Sequence, residues 1–177
     1  MSHRCHAQKK ETHMDEHTLR LLEEYYASRL VSAQGPKLWP FYRVLSKIQH
    51  NGVWYHCSQS SIRNSFVVIG SGIPGPWFAG QIEQIFTHRL QDRNMCNTFI
   101  LLRKFKELTE EHQSLDWYRR YPFIGGRLFY DIMEDDVVLL PCITILCHFA
   151  HTRRYIQRLG TYCVHALPLD RDVSISR

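Results

Sequence analysis

The dipeptide Asn51-Gly52 constrains the fold of this chain more than any other feature of its sequence. It separates two runs of strand-forming residues, 41–48 and 53–57. Asn and Gly adopt the positive φ angles that a two-residue turn between antiparallel strands requires. The sequence therefore predicts a β-hairpin here.

Further strand-like segments follow the hairpin at short intervals. The predicted strands cover residues 66–69, 77–86, 98–105, 127–131, 137–140, 143–149 and 162–167. Glycine, proline or clustered charges separate them, and we predict turns or loops at 70–76, at 134–136 and around Arg153-Arg154. About eight short strands at this spacing indicate a mainly β (α+β) fold, a small and partly open β-barrel.

One amphipathic helix precedes the strands. Asp15 or Thr18 can cap its N-terminus, and Gly35-Pro36 is expected to end it. Four apolar residues recur on one face at helical spacing, namely Leu19, Leu22, Tyr26 and Leu30. We expect a flexible His-rich tail and this helix over 1–34, a barrel-like domain over 35–172 and a tail over 173–177.

The composition favours a folded protein with one core. The chain has 177 residues, of which 44% are hydrophobic and 22% charged. No apolar run approaches the length of a membrane span, and the N-terminus lacks the apolar core of a signal peptide. The six cysteines lack the dense spacing of a disulfide scaffold. We therefore expect an intracellular protein, without a membrane partner, whose cysteines are thiols.

The cysteines and histidines form two groups with weak metal-ligand character. The first is Cys5, His6, His13 and His17, and the second is Cys142, Cys147, His148, His151, Cys163 and His165. Neither contains a Cys-x2-Cys pair, and neighbouring residues of a strand point to opposite faces. The sequence also lacks a Gly-x-Ser-x-Gly elbow and a complete P-loop. We expect no metal, no cofactor and no enzymatic activity.

Basic residues supply one set of candidate contacts. The net charge is +5, but it is spread along the chain and not concentrated in one block. Three basic pairs are the candidate phosphate contacts of a nucleic-acid interface: Arg103-Lys104, Arg119-Arg120 and Arg153-Arg154.

Aromatic residues supply the other set. Trp77 follows the Gly- and Pro-rich segment, and Asp116-Trp117-Tyr118 lies in a second predicted loop. If the two loops meet at one end of the barrel, Trp77, Trp117 and Tyr118 form an apolar surface with Asp116 as its acid. Such a surface suits a cationic or peptidic ligand. Burial of the same rings in the core is the alternative.

Several segments resemble the C-terminal region of proteins from fungal DNA transposons of the Plavaka or CACTA-like kind. They are 65–69 (SFVVI), 77–88 (WFAGQIEQIFTH), 105–109 (FKELT), 116–119 (DWYR), 125–131 (GGRLFYD), 147–150 (CHFA) and 165–171 (HALPLDR). The layout is similar, more loosely, to bromo-adjacent homology domains, which are β-rich binding modules of chromatin proteins. This resemblance implies a nuclear protein that binds partners and does not catalyse a reaction.

Two functions of different classes fit these observations. The first is a non-catalytic interaction module, chromatin- or DNA-associated, that binds a protein or a histone-tail-like peptide through loop aromatics. The second is a nucleic-acid-contacting accessory fragment, or a non-functional remnant of a transposase, that uses the basic pairs. A salt titration separates them, because phosphate contacts weaken steeply with salt.

Overall fold

The structure is a computed structural model that describes residues 5–29, 38–70, 76–90, 96–121 and 126–169, except the side chains of 5–10 and of Arg120. Its strands are β1 (Cys5–His13), β2 (Leu38–His50), β3 (Val53–His56), β4 (Phe66–Gly70), β5 (Trp77–Leu90), β6 (Cys96–Glu107), β7 (Arg127–Pro141), β8 (Ile145–Ile156) and β9 (Thr161–Pro168). Its helices are α1 (Glu16–Ala27), α2 (Glu110–Gln113) and α3 (Trp117–Arg120). Short 3₁₀ turns cover Ile62–Asn64, Cys142–Thr144 and Gln157–Leu159.

Six strands form a closed barrel in the order β5-β4-β8-β9-β7-β6, because β6 pairs back with β5. The remaining strands extend this ring: β2 pairs with the second half of β5, and β1 and β3 both pair with β2. The predicted mainly β barrel is confirmed, and its ring is closed. Every pairing among the described strands is antiparallel.

The hairpin predicted at Asn51-Gly52 is confirmed. His50 lies opposite Val53 in the register, so two residues connect β2 and β3. Both turn residues have positive φ, 48° for Asn51 and 79° for Gly52. Paired positive φ angles match the right-handed twist of the flanking strands, which is why this dipeptide selects the turn.

The prediction of a loose N-terminal tail was wrong. Residues 5–13 form β1, which pairs with β2 from Cys5 opposite Ile48 to His13 opposite Phe41. The strand is polar and contains register shifts between His6 and Glu11. Polar residues and irregular pairing are common in edge strands, and they hide the alternation by which strands are read from sequence.

The acidic turn predicted at 134–136 was also wrong, because β7 continues through it. Arg103 of β6 donates to the carbonyl oxygen of Asp135 at 2.9 Å, and its guanidinium pairs with Glu83. Lys104 pairs with the Glu134 carboxylate at 3.1 Å. The neighbouring strand thus pairs with the Glu134 carboxylate and holds the backbone of this segment extended.

Similarly, the predicted basic loop at Arg153-Arg154 is part of β8. Arg153 pairs with the Asp131 carboxylate of β7 and lies over the ring of Tyr162 at 4.2 Å. Both contacts favour an extended backbone, because they come from strands of the same sheet.

The amphipathic helix is confirmed but shorter than predicted. Asp15 is its N-cap, accepting a hydrogen bond from the Thr18 amide at 2.8 Å, and the helix ends at Ala27 with Ser28 as C-cap. Leu22 and Tyr26 are buried against aromatic residues of β5 and β6, whereas the predicted contact Leu30 lies outside the described residues. No helix in the described part of the chain is long and apolar enough to cross a membrane.

Candidate functional site

The short helix α3 is fixed to the outer surface of the barrel by Asp116. This residue is fully buried, and its carboxylate accepts hydrogen bonds from the backbone amides of Tyr118 at 3.0 Å and of Leu128 at 2.9 Å. The guanidinium of Arg119 lies 3.3 Å from the same carboxylate. One side chain therefore caps α3 and ties it to the first residues of β7.

A stacked ring pair makes the second attachment of α3. Tyr118 lies on the His165 imidazole of β9 with ring centroids 3.8 Å apart and an interplanar angle of 17°. Gly126 permits this approach, since a Cβ atom there would collide with Nε2 of His165. Burial lowers the pKa of His165, and the nearby Arg154 lowers it further against the opposing effect of Asp116. The imidazole is therefore neutral near pH 7.

A cleft lies between this attached segment and the β8–β9 hairpin, and we call it the α3 cleft. Its volume is about 430 Å³. Leu115, Leu128 and Ile156 supply aliphatic lining, and Trp117 and Tyr121 are large aromatic side chains at its surface, 54% and 44% exposed. A concave apolar lining beside exposed aromatic rings is typical of a ligand site.

The charged groups of the α3 cleft are cationic. Arg154 of β8 and Arg158 of the following turn both line it and are both exposed. Within the described residues, neither guanidinium has an ion-pair partner. The carboxylate of Asp116, beneath the cleft, is buried and already engaged. The cleft therefore complements a ligand that has an apolar group and negative charges next to that group.

The four aromatic-site residues predicted from sequence divide into two pairs. Trp117 is exposed at the cleft and Tyr118 lines it. Trp77 is only 5% exposed, because it packs in the core against Phe129, so its prediction as a ligand contact was wrong. Asp116 is equally unsuited to contact a ligand, since its oxygens hold backbone amides inside the protein.

Trp77 lies close to the first residue of β7, whereas residues 71–75 of the predicted loop before it lie outside the described residues. Arg127, the first residue of β7, donates to the carbonyl oxygen of Trp77 at 2.9 Å and places its guanidinium 4.6 Å from the indole centroid. The next residue, Leu128, is the one bound by Asp116. Arg127 thus separates the buried Trp77 from the α3 cleft.

Most of the predicted phosphate contacts are neutralised by acids of the same surface. Arg103 pairs with Glu83, Lys104 with Glu134, Arg119 with Asp116 and Glu107, and Arg153 with Asp131. Arg154 differs, because it lines the α3 cleft, and the side chain of Arg120 lies outside the described residues. The six residues do not form one unpaired basic patch, since four of them are engaged.

Sequence reasoning missed Tyr121, Ile156, Arg158 and His165 as parts of the site. They come from the segment at α3 and from the β8–β9 hairpin, which are far apart in the chain and are brought together by the pairing of β7 with β9 and by the stacking of Tyr118 on His165. The aromatic run Trp117, Tyr118 and Tyr121 was the one local signal for this surface.

The candidate metal ligands do not converge in the described part of the chain, where no three such side chains could hold an ion together. Cys57, Cys142, Cys147 and Cys163 are buried thiols. Burial raises the pKa of Cys163, which disfavours its thiolate, the form that binds metals. His148 is instead placed between the carbonyl oxygens of Phe66 and Trp54, at 3.1 and 3.0 Å.

Comparison of the chain with protein-family models, with curated proteins and with solved structures found no match.

Proposed function

We propose that the protein is a non-catalytic interaction module that binds an acidic peptide segment in the α3 cleft. The observation that carries the proposal is the combination of aliphatic lining, two exposed aromatic side chains and two arginines without a carboxylate partner among the described residues. An apolar peptide side chain would enter between Trp117 and Ile156. Flanking carboxylates of the peptide would pair with Arg154 and Arg158, because a guanidinium can donate two parallel hydrogen bonds to one carboxylate.

The charge of the cleft changes the expected class of ligand. The sequence suggested a cationic ligand held by Asp116, but that carboxylate is occupied and the accessible charges are positive. A Lys- and Arg-rich histone tail would be repelled by Arg154 and Arg158. The transposon resemblance still supports a nuclear, chromatin- or DNA-associated setting, in which the partner is an acidic region of another protein.

The nucleic-acid alternative has less support when it relies on the basic pairs, because ion pairs already engage most of them. A phosphate would have to displace an intramolecular carboxylate at each of these positions. Such contacts contribute less to affinity than contacts from unpaired cations.

The test is peptide binding measured by fluorescence anisotropy. The probe is a labelled twelve-residue peptide of Asp and Glu around one central Phe, and a Lys-for-acid version is the charge control. Trp117→Ala should weaken binding at least about fivefold, as expected when an aromatic side chain is covered by the bound peptide. Tyr155→Ala is the matched control, because Tyr155 is 53% exposed on the same hairpin but does not line the cleft.

Binding by the Tyr155→Ala variant should stay within about twofold of the unmodified protein. Thermal unfolding of both variants checks that the fold is intact. Equal affinity for the acidic and the basic peptide, or unchanged binding by Trp117→Ala, would contradict the proposal.

A further inference from the structure

A second groove lies on an open sheet face made by β1, β2, β5 and β6, and it shares no residue with the α3 cleft. Its volume is about 530 Å³. We call it the sheet groove and define it by Trp39, Phe41, Arg43, Thr87 and Arg89, with Glu11 at its β1 side. The opposite face of the same strands is covered, because Tyr42, Phe86 and Phe99 pack under α1.

Strand alternation places the groove residues on one face. Trp39, Phe41 and Arg43 all line the groove and are exposed, whereas Tyr42 between them is buried, although the register of β2 with β5 is irregular between Leu38 and Tyr42. Arg43 lies opposite Thr87 of β5, and Arg89 follows two residues later on the same side. The register therefore arranges aromatic and cationic groups in adjacent rows over the sheet.

The aromatic residues of the groove are accessible, unlike most rings in this protein. Trp39 is 39% and Phe41 is 36% exposed, and their ring centroids lie 5.7 Å apart at an interplanar angle of 50°. Because the rings are tilted, they cannot enclose one flat group between them. Phe41 also contacts the His13 ring of β1 edge to face, with ring centroids 5.4 Å apart, and the exposed parts of Phe41 and Trp39 together form the aromatic surface of the groove.

The cations of the groove are unpaired. Within the described residues, neither Arg43 nor Arg89 has an ion-pair or side-chain hydrogen-bond partner, although Glu11 faces Arg43 across the β1–β2 ladder. This differs from Arg103, Lys104, Arg119 and Arg153, which are all paired. Two arginines against one glutamate leave the groove positive.

We propose that the sheet groove binds single-stranded nucleic acid, with bases stacked on Trp39 and Phe41 and phosphates contacted by Arg43 and Arg89. Exposed aromatic side chains on an open sheet, bordered by cations, form the platform on which single strands stack without strict sequence preference. The threonine hydroxyl of Thr87 adds a hydrogen-bonding group between the two arginines. Charge complementarity selects a polyanion, and the exposed aromatic surface suits stacked bases.

The experiment uses a fluorescein-labelled twelve-nucleotide oligo(dT) and the full chain, with anisotropy measured over a series of salt concentrations. The Trp39→Ala/Phe41→Ala variant should bind at least about tenfold more weakly, because it removes two stacking faces. The Arg43→Gln/Arg89→Gln variant should flatten the log–log salt dependence by about 1.4, or 0.7 for each lost phosphate contact. Arg63→Gln/Lys106→Gln is the matched control, since both residues are exposed, equally charged and outside the groove.

The control variant should keep the slope and affinity of the unmodified protein, and so should Trp117→Ala, which tests independence from the α3 cleft. Equal weakening by the Arg63→Gln/Lys106→Gln variant would mean diffuse attraction and would overturn the proposal. So would absence of oligo(dT) binding at low salt, or binding of the acidic peptide to this groove instead. If the Trp39→Ala/Phe41→Ala variant unfolds, the salt dependence of the Arg43→Gln/Arg89→Gln variant still tests the proposal.

Discussion

At the scale of single residues, the role of a carboxylate depends on whether it already accepts hydrogen bonds from backbone amides. Asp116 and Asp131 are both carboxylates close to arginine, but only Asp116 is fully buried and holds two backbone amides. Asp131 pairs with Arg153, whose side chain is 59% exposed. A buried carboxylate that satisfies amides stabilises the fold, whereas an exposed pair adds little.

We therefore expect Asp116→Ala to lower the free energy of unfolding by about 2–4 kcal/mol, because it leaves two backbone amides without their acceptor and leaves Arg119 with Glu107 as its remaining ion-pair partner. Asp131→Ala is the control and should cost less than about 1 kcal/mol. Urea unfolding followed by circular dichroism measures both. Similar losses in the two variants would show that Asp116 is not the anchor of α3.

At the scale of elements, α1 is attached by a polar network as well as by apolar contacts. The Nε2 atom of His88 lies 3.0 Å from the carbonyl oxygen of Trp39, and its Nδ1 lies 3.4 Å from the hydroxyl of Tyr26. Asn97 donates to the same hydroxyl at 3.2 Å. The network is complete only when His88 is neutral, donating from Nε2 and accepting at Nδ1.

The pKa of His88 is lowered by burial, against a smaller opposing effect of its bond to Trp39. Its contribution to stability is therefore present above the unfolded pKa of about 6.5 and is lost as the pH falls through the lower folded value. Burial lowers the pKa of His56, His151 and His165 as well, so their contributions have the same sign.

We predict that the free energy of unfolding decreases from pH 7.5 to pH 5, and that His88→Gln reduces this decrease. Urea titrations at both pH values, for the two proteins, make the comparison. A stability that rises on acidification would mean that the histidines are stabilised in their charged form.

Removing residues 1–29 tests the contribution of the whole helix α1, together with β1, to stability. The deletion takes away β1 and α1 and exposes Tyr42, Phe86, Leu90 and Phe99 to water. Exposed apolar surface of this kind lowers stability and promotes association. We expect a lower melting temperature or an aggregated product, whereas an unchanged, monodisperse protein would show that α1 is not part of the core.

At the scale of the whole molecule, the sequence predicted what is local and missed what depends on neighbours. The Asn51-Gly52 hairpin, the Asp15 cap and the strands β4 and β5 follow from turn chemistry and periodicity. The continuity of β7 was missed because it depends on contacts from another strand, namely the ion pair of Lys104 with Glu134 and the hydrogen bond from Arg103 to the carbonyl oxygen of Asp135. These contacts cannot be read from the sequence unless the pairing of β6 with β7 is known.

The candidate site follows the same division. The aromatic content of the segment at Trp117 was a local signal, and Trp117 and Tyr121 of this segment line the α3 cleft. The positive charge of the α3 cleft depends on Arg158 and Arg154, which the barrel brings to α3 from the β8–β9 hairpin. Among the described residues, the arginines of the α3 cleft and of the sheet groove have no ion-pair partner, while the basic pairs that stand out in the sequence are mostly neutralised.

Binding of an acidic peptide with an apolar anchor in the α3 cleft can be followed residue by residue with NMR. An amide and indole ¹⁵N–¹H spectrum would be recorded while the unlabelled acidic peptide is added. We predict that the largest shift changes occur at the Trp117 indole and at the amides of Tyr121, Ile156 and Arg158, with small changes at Val53 and Ile62 on other exposed surfaces. Changes that are absent, or that cluster away from Trp117, would contradict the claim.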